Sequence, residues 1–68
     1  MPTFKIYWDN GNHACGVFPY VFQTERAAEQ WARAWKRSMV MTEPPGRARR
    51  EARAAYSWEV IEEETPDF

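Results

Sequence analysis

Phe4-Lys5-Ile6-Tyr7-Trp8-Asp9 alternates two kinds of side chain and runs straight into Asn10-Gly11. Period-two alternation marks a strand with one buried face. Asn-Gly is the dipeptide that best accepts the positive φ angles of a type I′ hairpin turn. A two-residue turn sets Asp9 opposite Asn12, Trp8 opposite His13, Ile6 opposite Cys15 and Phe4 opposite Val17. On that register Phe4, Ile6, Trp8, Cys15 and Val17 share one face, so turn and apolar pattern agree. Tyr7 and Phe18 fall on the other face. Pro19 lacks a backbone donor, which places the second strand at an edge or bends it. Beyond Pro19 the pattern assigns no faces to Tyr20, Val21 and Phe22.

The period then changes. Thr24 is a good N-cap, and Glu25 puts a negative charge in the first turn, where it suits the helix dipole. Ala28, Trp31, Ala32, Trp35 and Met39 form one stripe of a 3.6-residue repeat, so a helix is expected from Glu25 to about Val40. Pro44-Pro45-Gly46 stops it. Arg47 to Ala55 is rich in good helix formers, but nine residues are marginal for an isolated helix, and both a short second helix and a mobile loop remain open. Tyr56 to Glu62 reads as the last strand, with Tyr56, Trp58 and Val60 inward and Ser57, Glu59 and Ile61 outward.

These elements imply an α+β fold, a small β-β-α-β domain with one main helix packed on one face of a three-stranded sheet. The second strand, the helix and the last strand form a crossover unit, which makes those two strands parallel. The first strand then lies between them, in sheet order 2-1-3. Residues 1–68 are expected to be a single domain, with 42–55 the basic loop or short second helix and 65–68 a loose tail. A chain this short buries only about 60% of its unfolded surface. The four Trp, four Phe and three Tyr supply the large apolar areas that a small core needs. They also exceed what one such core requires, so an exposed aromatic patch on the open sheet face is expected to mark an interface.

One cysteine, Cys15, excludes an internal disulfide framework and favours a reducing compartment. The opening MPTFKIYWDNG lacks the pattern of a signal peptide, and no apolar run approaches the roughly 20 residues of a membrane span. The expected location is the cytoplasm of a bacterial host, with no membrane partner.

Catalytic chemistry has little to work with. His13 and Cys15 are the only His and Cys, and Cβ atoms two apart on a strand lie roughly 6.5 to 7 Å apart, too far for an easy thiol–imidazole hydrogen bond. One of each cannot build a four-ligand zinc site, and no Gly-rich phosphate loop is present. No enzyme activity, catalytic residue, metal or cofactor is therefore expected.

Charge is more informative. Residues 26–53 carry a net +5 and residues 54–68 a net −5, while the whole chain is −1. Arg47, Arg49, Arg50 and Arg53 can each displace counterions from phosphates, and Arg33, Lys36 and Arg37 extend that basic stripe. The run Glu62-Glu63-Glu64 suits a basic groove on another protein.

The opening FKIYW, the helix ERAAEQWARAW, the closing SWEVIEEE and the lack of catalytic chemistry resemble the small accessory proteins of bacteriophages, anti-CRISPR proteins among them. The likeness is one of size and style over the whole chain, not of a shared motif, so it assigns no residue. It implies a stoichiometric inhibitor that binds a host complex and blocks its recognition of nucleic acid. The expected function is thus non-enzymatic binding to a host protein or protein–nucleic-acid complex. Its candidate partner-binding residues are Tyr7, Arg33, Arg37, Arg49, Arg50, Glu62, Glu63 and Glu64. A small RNA- or single-stranded-DNA-binding module using the same arginines is the alternative, and a structural homodimer pairing its open faces is the third reading.

Overall fold

The computed structural model describes residues 2–11 and 13–64. Strand β1 spans Pro2–Asp9, β2 Cys15–Val17 and β3 Ser57–Glu64, while helix α1 spans Glu25–Met41 and α2 Arg47–Ala55. The strands form one open sheet in the order β2-β1-β3, with β1 antiparallel to both neighbours. Sheet order, crossover direction and the main helix agree with the sequence. Of the two alternatives for segment 47–55, the structure shows the helix.

The hairpin register differs from the expected one. Tyr7 pairs with Val17, Trp8 with Gly16 and Asp9 with Cys15, a shift of three residues. An odd shift moves the whole second strand to the opposite face. Phe18, expected on the open face, instead lies on the helix side, where its N–H donates to the Ile6 carbonyl at 3.0 Å. Cys15 and Val17, expected beside Ile6, share the open face with Tyr7. The connection is longer than two residues: Asn10 N–H donates to the Ala14 carbonyl at 3.1 Å, and positive φ falls at Gly11 (77°) and His13 (67°). Packing explains the outcome. The longer loop buries the larger ring of Phe18 under α1, at the expense of the small Cys15 and Val17. The expected partner of Asp9, Asn12, lies outside the described residues, as do Met1 and the tail 65–68.

Beyond Phe18 the ladder bulges. Phe4 and Phe22 exchange both backbone hydrogen bonds, at 2.9 and 2.8 Å, so Pro19, Tyr20 and Val21 together oppose Lys5. Pro19 has no N–H to lose there, which suits a bulge.

Helix α1 begins as its sequence requires, with the Thr24 hydroxyl accepting from Ala27 N–H at 3.1 Å. It presents Ala28 and Ala32, both fully buried, to Ile6, the one large side chain that is fully buried among the described residues. Two alanines let the helix backbone approach the sheet closely. Phe4, Phe18, Phe22, Trp31, Trp58 and Val60 pack around this centre. On β3, Trp58 pairs with Trp8 and Val60 with Ile6, so the inward and outward residues of that strand follow the expected alternation.

Gly11 ties the hairpin loop to the end of α2. A Cβ there would come within 2.9 Å of the Ala55 Cβ and 3.1 Å of its Cα, at a φ of 77° that L side chains rarely adopt. Gly11→Ala is expected to cost roughly 1–3 kcal/mol, read in a thermal melt as a Tm lower by roughly 5–20 °C. An unchanged Tm would mean that this contact does not hold the loop.

Candidate functional site

Helix α1 carries a second stripe beside its core stripe. Arg33, Lys36, Arg37, Val40 and Met41 recur at i, i+3, i+4, i+7 and i+8, so they line one side of the helix. That side faces a cleft of about 490 Å³, and α2 and β3 complete its walls with Arg53 and Trp58. Arg33, Lys36, Arg37 and Arg53 are the cationic residues of the lining and Val40, Met41 and Trp58 its apolar ones; Arg33 also borders a neighbouring groove lined by Glu25 and Glu29. Trp58 is half-buried, and it is on the cleft side because β3 turns its core face toward the helices.

No carboxylate lines this cleft. Among the described residues, ion pairs join Lys5 to Glu63 (3.4 Å) and Arg47 to Glu51 (2.9 Å), and neither involves a cleft residue. Glu29 stands four residues before Arg33, the spacing of a helical ion pair, yet the two do not form one. Four like charges around one concave surface repel one another and raise the local potential, whatever the net charge of the chain. An anion entering the cleft relieves that repulsion.

The remaining candidate residues are dispersed. Arg49 is half-buried and braces the start of α2, with its Nη2 donating to the Glu43 carbonyl at 3.1 Å. Its Nε is buried with no hydrogen-bond partner. Arg50 is exposed and lies one turn before Arg53 on α2, outside the lining of the cleft. The three consecutive glutamates divide between faces. Glu63 lies on the open face with Lys5, whereas Glu62 and Glu64 alternate to the helix side, opposite Phe4 and Pro2. Tyr7 sits on the open face between Val17 and Glu59. Hydrogen bonding and charge from the neighbouring Cys15 raise its pKa above the usual tyrosine value, and slight desolvation, Asp9 and Glu59 act in the same direction.

The structure therefore joins Arg33 and Arg37 from the expected set and adds Lys36, Arg53, Val40, Met41 and Trp58. The stripe on α1 was visible as helical spacing. Trp58 carried no such signal, because a strand tryptophan on the apolar side reads as core. Among the described residues no group of three or more His, Cys, Asp or Glu is placed to hold a metal, and no helix is long and apolar enough to cross a membrane. No family model, curated protein or solved structure matches this chain. What fold and site define is a small α+β domain with a cationic cleft beside its sheet.

Proposed function

We propose that the protein is a non-enzymatic binding module that recognises an anionic partner through the cleft between α1, α2 and β3. One observation carries this reading: four cationic residues from two helices line one concave surface whose lining contains no carboxylate. Side chains so placed gain little from their own fold and much from an arriving anion. Nucleic acid, alone or within a protein complex, presents such anions at high density.

Neutralising half of the cluster tests it. Arg33→Gln combined with Arg37→Gln is expected to weaken binding to heparin, a generic polyanion, on the order of fiftyfold at 50 mM salt, since each lost cation releases fewer counterions. Lys5→Gln, on the opposite sheet face, serves as the control and should leave affinity within about twofold. Titration calorimetry at low salt reads both. Equal affinity of the double variant and the parent protein would rule out the cleft as the anion site.

A second reading rests on a different surface. Strand β3 is an edge of the sheet, with eight residues whose outer side pairs with no other described strand. It carries Glu59 and Glu63 on one face and Glu62 and Glu64 on the other. Carboxylates on both faces of a free edge suit a basic groove on a protein. This reading makes the protein a phage-type inhibitor of a host nucleic-acid-recognising complex. Under this reading, reversal of Glu62, Glu63 and Glu64 to Lys abolishes capture of the partner and the arginine variant retains it.

A further inference from the structure

We infer that the cleft takes a short single strand of nucleic acid, with one unpaired base lying against Trp58 and the flanking phosphates held by Arg33, Lys36, Arg37 and Arg53. This rests on the reading of the cleft as an anion site and specifies its ligand.

The composition of the cleft argues for that ligand. Its cations alone would serve any polyanion, including an acidic peptide. Its apolar lining would not: Trp58 contributes flat surface and the exposed Met41 aliphatic surface that carboxylate side chains cannot use. A nucleotide uses both, because it joins a phosphate to a ring with a π-face. Base–aromatic stacking tolerates any base, and it needs that face to be free. In a duplex the faces are stacked and only the edges reach the grooves, so a double helix engages the cations but not the indole.

Spacing supports more than one phosphate contact. Arg33 and Arg37 are four residues apart on α1, a rise of about 6 Å, enough to address two successive phosphates along a strand. Arg53 reaches in from α2 on another wall. The same geometry limits the ligand's length. Trp58 and Glu62 lie on the same face of β3, and four strand residues separate them by roughly 13 Å. A strand extended along β3 past Trp58 therefore meets carboxylates at Glu62 and Glu64. The footprint is expected to be about four nucleotides, the low end for stacking platforms of this kind.

The test uses the whole protein and four fluorescein-labelled probes at 50 mM salt, read by anisotropy: an oligothymidine of about twelve nucleotides, an abasic strand of equal length, a duplex and a polyglutamate peptide. The oligothymidine should bind tightest, with the abasic strand about tenfold weaker, since it keeps the phosphates and lacks the stacking ring. Raising salt from 50 to 200 mM should weaken the oligothymidine about fiftyfold, the slope for about four phosphate contacts on a single strand. Trp58→Leu should abolish the difference between oligothymidine and abasic strand while leaving abasic binding in place. Trp58 also packs against the core, so Trp58→Phe is the companion variant, with an intermediate ratio expected. If neither variant folds, the ratio in the unmodified protein still decides whether an unpaired base is stacked.

Equal binding of oligothymidine and abasic strand, or tighter binding of the duplex, overturns the single-strand assignment and leaves the anion reading intact. Tightest binding of polyglutamate overturns it in favour of an acidic protein surface. No binding of any probe, or no effect of Arg33→Gln with Arg37→Gln on those that bind, removes the anion reading itself.

Discussion

Ile6→Ala is expected to remove a substantial share of the folding stability, about 2–5 kcal/mol. Ile6 is fully buried, and the residues it meets at the centre of the core are Ala28 and Ala32, which are also fully buried. Truncating a buried isoleucine to alanine costs about 2–5 kcal/mol, more where the surroundings cannot collapse into the cavity. Collapse is difficult here because Trp31 and Trp35, beside the two alanines on α1, fix that helix in place through their ring contacts with Phe18 and Trp8. A domain of this length has a total stability of roughly 3–10 kcal/mol, so the loss is between a fifth of the reserve and all of it. Urea unfolding followed by far-UV circular dichroism measures it. Ile61→Ala, on the open face, is the comparison and should cost less than about 1 kcal/mol. Equal losses at the two positions would show that the helix does not cover the face bearing Ile6.

The parts of this fold that were legible in the sequence are those fixed by local chemistry. Thr24 caps α1 by bonding Ala27 N–H, a contact that needs only its hydroxyl and a helix beyond it. Alternation alone assigned Trp58 and Val60 to one side of β3 and Glu59 and Ile61 to the other. The sheet order followed from connecting two strands through a helix. What was not legible depends on distant residues. Segment 47–55 lacks the length to be a stable helix by itself; it forms one where it packs on α1, with Ala52 buried. Arg47 and Glu51 add only an exposed ion pair, worth little.

The cleft illustrates the same division. Its α1 stripe is written in the spacing of Arg33, Lys36, Arg37, Val40 and Met41, but such a stripe reads as a solvated face until another element stands across from it. Arg53 and Trp58 do so only because α2 and β3 return to that side. The acidic run shows the converse. Three adjacent glutamates look like one cluster in the sequence, and strand alternation separates Glu63 from Glu62 and Glu64. Clustering along a strand is not clustering in space.

Phe18 offers the sharpest test of the hairpin, because the two registers make opposite predictions for adjacent residues. A two-residue Asn-Gly turn buries Val17 and exposes Phe18; the observed pairing of Tyr7 with Val17 does the reverse. Val17 is 50% exposed. The Phe18 ring contacts Trp8, Tyr20, Trp31 and Trp35 at centroid distances of 5.9, 6.4, 4.8 and 5.2 Å, and the last two are edge-to-face. It thereby links both strands of the hairpin to α1. Phe18→Ala is expected to cost about 3–5 kcal/mol, whereas Val17→Ala should stay within about 0.5 kcal/mol. The aromatic contacts contribute beyond area burial, about 0.5–1.5 kcal/mol for a well-oriented pair, so Phe18→Leu should recover part of the loss but not all of it. Paired urea titrations of the three variants decide the register. A larger loss at Val17 than at Phe18 would restore the tight turn, move Cys15 to the core side and separate Tyr7 from the thiol that raises its pKa. It would also remove the ring that holds Trp31 and Trp35 in place, and with it the seating of α1 that brings Arg33 and Arg37 to the lining of the cleft.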